Sequence, residues 1–372
     1  MSPQLTLQTP LKLSLKEIPS YLDNLWSKEN LGDNGANTFC LVIWQPAWIE
    51  QELGRTGKIT SPVVGNQREE IIDAARKVVL EKNLPHITPP LDKTVINSLS
   101  NDKGDEDFQD LRGQHIDSDI STLQPRRLIT LAPTLKTNRP LEALVAAYCP
   151  LPEERGGSVA CGDVVVLRGS KMDLNNNLSI LNNLLPKDLP SWIWWNGRLD
   201  EAPELLKHLA EKKRRLIIDS AIGDPKNCIE FLQERISIGQ AVNDLNWLRL
   251  RTWRETLAMV FDPPERREYL NHIRKLDIDI EGYHPVQGLL FCSWMADKLN
   301  WDIKECNNIN NNTILIKFVK SNKDEIICKL ISMPIGNPSI HPGQIIGIRL
   351  ISKVKEDPEN AICVILASES GE

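Results

Sequence analysis

Short apolar runs alternate with amphipathic stretches from residue 39 to about 240. Cys40-Leu41-Val42-Ile43-Trp44 reads as a buried strand that ends at Pro46. Arg127 to Leu131 and Asp163 to Leu167 read as strands too, the second nearly all β-branched. Trp192 to Trp195 and Leu216 to Ile218 add two more. Helical spacing separates them. In Gln67 to Glu81 the residues Ile71, Ala74, Ala75, Val78 and Val79 form one stripe. Leu178 to Leu185, Glu201 to Lys212 and Cys228 to Ile236 are also helical. Strands alternating with helices of this length predict an α/β layer with substantial parallel pairing.

The pattern then changes. Asn243 or Asp244 can cap a helix that runs to about Phe261 and stops at Asp262-Pro263-Pro264. Glu265 to Arg274 begins another helix. Leu276-Asp277-Ile278-Asp279-Ile280-Glu281 alternates strictly, which predicts a strand with one solvated acidic face. Val286 to Leu299 is helical. Four strands follow, at 313–319, 325–332, 345–352 and 361–367, with spacers short enough for antiparallel pairing. The expected class is α/β, with an N-terminal mixed or parallel sheet and flanking helices. A helical segment and a mostly antiparallel C-terminal sheet complete it. Residues 1–38 form an N-terminal extension with a helix from Leu15 to Ser27. An α/β domain covers 39–240 and an α+β domain covers 241–372. Pro85, Pro89, Pro90 and the charged run from Asn101 to Asp107 mark 83–124 as an insertion, expected to be partly mobile.

Length supports two domains, since 372 residues exceed one ordinary core. The formal net charge of -6 argues against nucleic acid as a partner, and Lys212-Lys213-Arg214-Arg215 reads as a charged helix end. The first 25 residues lack a signal-peptide core, and no apolar run reaches membrane-spanning length, so a cytoplasmic chain with no membrane partner is expected. The eight cysteines include no C-x-x-C and no zinc spacing. Cys292, Cys328 and Cys363 lie in apolar runs and are expected to be buried. Cys306 lies in a polar stretch and is expected at the surface.

No convincing catalytic group emerges. Gly54-Arg55-Thr56-Gly57-Lys58-Ile59-Thr60 imitates a phosphate loop, but Glu52 stands where the first glycine belongs and Ile59 follows the lysine. Asp277 to Gly282 imitates the start of a calcium loop, but Gly288 occupies the place of the bidentate glutamate. His284 lies beside those acids and reads more simply as a turn residue before Pro285. Ser118, His115 and Asp117 are too close in sequence for triad geometry. After the strand at 163–167 comes Arg168-Gly169-Ser170-Lys171-Met172, with one glycine and no dinucleotide fingerprint. No catalytic residue, metal or cofactor is assigned.

Tryptophan carries the binding signal. Five of the ten tryptophans fall in Ser191-Trp192-Ile193-Trp194-Trp195 and in Asp244 to Glu255. Trp and Arg dominate protein–protein hot spots. Trp247, Arg251 and Arg254 share a stripe on the expected helix, away from Leu250, Trp253, Leu257 and Phe261, which should pack inward. Trp194 and Trp195 lie on opposite faces of their strand. These five residues are the candidate partner-binding set. The structural alternatives are an indole stacked under an arginine stem, an Arg251–Glu255 helix pair, and indoles packed in the core.

Three segments resemble the OpcA family, the glucose-6-phosphate dehydrogenase assembly proteins of cyanobacteria and actinobacteria. They are Asp188 to Gly197, Asp244 to Arg254 and His284 to Leu290. Leu111 to His115 and Leu123 to Ile129 are similar to the cyanobacterial branch. The resemblance covers roughly residues 40–300. It implies a non-catalytic activator that binds glucose-6-phosphate dehydrogenase and promotes its active assembly. Such a protein would serve NADPH production in the oxidative pentose phosphate pathway. It implies no set of contact residues. Beside it stands the residue-level alternative of an α/β enzyme or sugar-phosphate-binding protein with a dispersed site.

Overall fold

The computed structural model describes residues 5–7, 11–28, 39–45, 126–134, 141–150, 162–185, 189–211, 213–282, 284–310, 312–333, 343–354 and 359–368. The expected helix at 67–81 and the insertion at 83–124 lie outside them.

The first layer is a nine-stranded sheet. Its strands are β1 (Leu5–Leu7), β2 (Leu11–Leu13), β3 (Cys40–Trp44), β4 (Arg127–Thr134), β5 (Glu142–Pro150), β6 (Gly162–Ser170), β7 (Ser191–Trp195), β8 (Arg215–Ile218) and β9 (Val242–Asp244). The order β6-β4-β3-β7-β8-β9 is parallel throughout. With β3 counted first, this is the doubly wound order of dinucleotide-binding folds. β5 adds an antiparallel strand beyond β6, and β1 and β2 pair with β5 in turn. The segment set apart as an N-terminal extension is therefore built into the sheet edge. Its helix α1 (Ile18–Lys28) buries Ile18 and Leu22 in the same core as the sheet.

Every residue of β3 is buried, because both faces of the sheet are covered. Cys40, Val42 and Trp44 join one cluster with Ile193 and Trp195. Helices α2 (Lys171–Asn176), α3 (Leu178–Leu184), α4 (Pro203–Leu209) and α5 (Pro225–Ser237) pack there. Leu41 and Ile43 join the opposite cluster, together with Trp192 and Trp194. Arg127 binds Asp163 through two bonds of 2.7 and 3.0 Å and donates to the Leu184 carbonyl. This tethers the starts of β4 and β6 to the end of α3.

The expected single helix to Phe261 is two, α6 (Leu245–Arg249) and α7 (Arg251–Phe261), which meet at Leu250. Asp244 is the cap, accepting from the Asn246 N–H. Leu250, Leu257 and Phe261 are core, as their spacing predicts. The helix expected at Glu265–Arg274 is shorter. It comprises α8 (Pro264–Arg267) and a 3-10 turn at Glu268–His272.

The second layer is a six-stranded sheet in the order β11-β12-β13-β10-β14-β15. These strands are β10 (Ile273–Glu281), β11 (Trp301–Asn310), β12 (Thr313–Lys320), β13 (Glu325–Met333), β14 (Ile345–Lys353) and β15 (Ala361–Ala367). All pairings are antiparallel except β10 with β13. Helix α9 (Val286–Leu299) packs on one face through Phe291, Cys292 and Met295.

Two expectations about this layer are corrected. The acidic strand β10 is internal, and its acidic face is not solvated: Asp277 is 3% exposed and Glu281 is 7% exposed. Asp277 survives burial because Lys275 lies 2.7 Å and Arg349 3.4 Å from its carboxylate. Cys363 is exposed, since it alternates with inward-facing Val364 on an outer strand. Cys292 and Cys328 are buried and in contact, with 3.0 Å between sulfurs.

Candidate functional site

Two places in this fold gather chemistry-bearing residues. The first is the reversal point of the doubly wound sheet. In such sheets the ligand crevice lies outside the carboxyl ends of the two strands at the reversal, here β3 and β7. Nucleotide-binding members place a glycine-rich turn after the first strand, so that backbone can approach the pyrophosphate. This chain has Gln45-Pro46-Ala47-Trp48-Ile49-Glu50 there, with no glycine.

At the carboxyl ends of these two strands, two indoles pack into the core. Trp44 and Trp195 stack with centroids 4.6 Å apart and planes 2° from parallel, and both are 0% exposed. The Trp44 Nε1–H donates to Glu201 at 2.7 Å, and the Trp195 Nε1–H donates to the Arg198 carbonyl at 2.8 Å. Across the strand ends, the Asn196 N–H donates to the Trp44 carbonyl, and Asn196 Nδ2 donates to Gln45 Oε1 at 3.2 Å.

The second place is the junction of the two layers. Ser220, at the end of β8, donates to Asp244 through its N–H and its hydroxyl, at 2.9 and 2.6 Å. Asn246 Nδ2 donates to Ser220 Oγ, and Gln287 Nε2 donates to Asn246 Oδ1 at 2.8 Å. The chain continues into the second sheet, where the Ile345 N–H donates to Gln287 Oε1 at 2.7 Å. Beside it Arg249 clasps Asp219 through two bonds of 2.9 and 2.6 Å. Asp219, Ser220, Asp244, Asn246 and Gln287 are all buried. Close packing makes this possible. A Cβ on Gly288 would come within 3.0 Å of Leu330, so glycine lets α9 lie against the sheet. Gly343, at φ +76°, passes so close to the His284 carbonyl that a Cβ would sit 2.0 Å from it.

His284 is fully buried and faces Gly223, not the acids of β10. Its Nε2 is 3.2 Å from the Gly223 carbonyl, which fits the neutral tautomer protonated at Nε2, and Nδ1 has no partner among the described residues. Burial pushes the imidazole down to about 4, against the Gly223 carbonyl and the carboxylates of Asp219 and Asp224. An unfolded histidine titrates near 6.5. Between those values the unfolded chain takes up a proton that the folded chain refuses. Stability from His284 is therefore complete above about 6.5 and falls toward pH 4, by roughly 1.4 kcal/mol per unit. Asp244 works in the opposite sense: burial raises its carboxyl, against hydrogen bonds from Ser220 and Asn246. Its contribution is complete at low pH and is lost as pH rises through its folded value. In urea unfolding, His284→Gln is expected to flatten the loss of stability from pH 6.5 to 5. An unchanged slope would remove His284 as its source.

The three segments that carry the resemblance converge on these two places. Leu189–Gly197 builds the strand end that carries the Trp44–Trp195 stack, while Asp244–Arg254 and His284–Leu290 build the junction. The glucose-6-phosphate dehydrogenase subunit N-terminal domain family matches residues 117–234, and the corresponding C-terminal domain family matches 240–359. The OxPP cycle protein OpcA of Synechococcus elongatus is 32% identical, over 99% of this chain and 85% of its own length. The chain belongs to the OpcA family. The same-named protein of Nostoc punctiforme is 27% identical, over 98% of this chain and 83% of its own. Solved structures with partial likeness include a scyllo-inositol dehydrogenase from Lactobacillus casei. It has 10% identity and a TM-score of 0.29, covering 55% of this chain and 62% of that one. A probable dehydrogenase from Thermotoga maritima has 8% identity and a TM-score of 0.31, covering 55% and 65%.

The five candidate partner-binding residues separate in space. Trp195 is core and has no surface to offer. Trp194 packs on the opposite apolar cluster, and its Nε1 is enclosed without a partner among the described residues. Trp247 sits on α6, while Arg251 and Arg254 sit on α7. The Arg254 guanidinium lies 3.7 Å over the Trp247 ring, and Arg251 pairs with Glu255 at 2.7 Å. All three structural alternatives weighed from the sequence are thus present. They leave an exposed helix stripe of Leu248, Arg251, Glu255 and Met259, at the spacing of one face.

A cavity of about 570 Å³ lies at the end of the second sheet. Ile280, Ile314 and Leu330 form its floor, and Asn308, Asn310 and Asn312 form its rim. None of its described lining residues is charged, so it offers no cation to a sugar phosphate. Among the described residues, no group of three or more His, Cys, Asp or Glu could hold a metal, and no helix is long and apolar enough to cross a membrane.

Proposed function

We propose that this chain binds glucose-6-phosphate dehydrogenase, promotes its assembly, raises its activity and performs no catalysis of its own. The observation that supports the non-catalytic reading is the glycine-free sequence Gln45 to Glu50 after β3, where a doubly wound enzyme carries its phosphate-binding turn, beside the buried Trp44–Trp195 stack. Membership of the OpcA family supports the identity of the partner. The decisive assay measures NADP reduction by the purified dehydrogenase with and without the chain, alongside co-elution. Dehydrogenase activity unaffected by the chain, with no co-elution, would end the proposal. NADP reduction by the chain alone would end its non-catalytic part.

The partner surface is assigned to the α6–α7 face around Trp247, Arg251 and Arg254, with Leu248 beside them. A large, half-buried indole held flat by a guanidinium suits an interface anchor, having area, few rotors and donors for partner carboxylates. Arg251→Ala removes no core volume, because that side chain is 74% exposed. Its pair with Glu255 is exposed at both ends and adds little to stability. Hot-spot truncation costs about 2 kcal/mol or more, so the substitution is expected to weaken dehydrogenase binding on the order of tenfold or more, with thermal unfolding unchanged. Unchanged affinity in titration would move the interface elsewhere.

A further inference from the structure

The two edges of the second sheet are built differently. β11 carries Asp302, Lys304 and Glu305 and two register shifts, and charges and bulges keep an edge from pairing with another chain. β15 has no such guard. Ala361-Ile362-Cys363-Val364-Ile365-Leu366-Ala367 holds no charge and no proline, and it runs in unbroken register along β14. Among the described residues it pairs with β14 alone. The Val354 N–H donates to the Asn360 carbonyl and the Ser368 N–H to the Ile346 carbonyl, which sets the alternation of the ladder. Even-numbered residues bond to β14, and the N–H and C=O groups of Cys363, Ile365 and Ala367 point to the open edge. The Ile365 side chain, on the outer face, is 67% exposed.

We infer that β15 pairs antiparallel with β15 of a second copy of this chain, about a two-fold axis at Val364, and that the two sheets become one. The strand is apolar read in either direction. Alanine stands at both ends, Ile362 mirrors Leu366, Cys363 mirrors Ile365, and Val364 lies at the centre. Pairing about Val364 sets Cys363 opposite Ile365 of the second copy and Ala361 opposite Ala367. Those are the residues whose backbone groups face outward, so both edges are satisfied at once. An uncharged strand gives a different protein no polar group to select, whereas its mirrored sequence fits itself.

Sedimentation of the full chain across a wide concentration range is expected to show a dimer in reversible exchange with monomer. Ile365→Pro removes an outward N–H and no bond to β14, and Ile365→Lys puts a charge on the edge. Each is expected to raise the dimer dissociation constant on the order of tenfold or more, with an unchanged circular dichroism spectrum. The lysine variant keeps the test valid should the proline variant misfold. Ile365→Cys, under mild oxidation, is expected to give an intermolecular disulfide from the new thiol to Cys363, located by peptide mapping. A wild-type chain that stays monomeric, or a dimer that neither substitution weakens, overturns the inference. So does a monomeric chain whose edge variants lose only dehydrogenase binding. The dimer measurement needs no dehydrogenase, so its failure is distinguishable from failure of the functional proposal.

Discussion

Trp195→Ala is expected to lower the unfolding free energy by about 3–5 kcal/mol, the range for deleting a fully buried large aromatic. Three losses add. The indole leaves the parallel stack with Trp44, its Nε1–H abandons the Arg198 carbonyl, and a cavity opens beneath Asn196. Trp195→Phe keeps most of the volume and discards only the donor. It is expected to cost about 1 kcal/mol, the worth of one hydrogen bond, because the Arg198 carbonyl keeps the Glu201 N–H. Urea unfolding followed by circular dichroism measures both. A loss below that of the phenylalanine variant would mean that the neighbouring side chains collapse into the space. The stack would then be incidental to the core. The stripe proposed for dehydrogenase binding lies on α6 and α7, elsewhere in the chain, so folded Trp195→Phe protein is expected to bind the dehydrogenase normally.

Arg249→Leu is expected to cost about as much, roughly 3–5 kcal/mol, by a different route. The Asp219 side chain is 1% exposed and takes both of its arginine bonds from this one guanidinium. Removing the arginine takes a two-bond guanidinium from a buried carboxylate that keeps the Ala221 N–H, beside a network that already contains Asp244. Breaking a buried pair from one side costs more than removing both members. Arg249→Leu combined with Asp219→Leu is therefore expected to recover more than half of the loss. Arg249→Lys is expected to fall between, since an ammonium cannot reproduce the two-pronged contact. If the double variant were no more stable than the single one, Asp219 would draw its stability from other partners. The junction would then have to be assigned to the Ser220–Asp244–Asn246–Gln287 chain alone.

Much of the architecture was legible along the chain because it is local. Continuous apolar runs marked β3, β6 and β7, and helical spacing marked α5 and α9. Proline closed the helix at Phe261, and Asp244 was named as one of two caps. Other elements carried an ambiguous or weak local signal. β5 is rich in alanine and leucine, which favour a helix as readily as an edge strand. β9 is three residues long, and β11 shows a polar outer row with no clean alternation.

By itself the sequence determined the α/β class, the family and the absence of a glycine fingerprint after any strand. Each of these rests on residue type and short-range spacing. The tertiary structure alone decided which residues face one another. It placed β10 inside its sheet, so that in an acidic row which alternation assigns to water Asp277 and Glu281 became buried, Asp277 matched by Lys275 and Arg349. It set Trp195 level with Trp44, since parallel register fixes which of two adjacent indoles turns inward. It broke the helix at Leu250 and laid Arg254 over Trp247. It also joined Ser220, Asp244, Asn246 and Gln287, which no spacing connects, into one buried chain. The physical reason is the same in each case. Register and strand order arise from contacts between residues far apart in sequence, while periodicity records only which side of its own element a residue occupies.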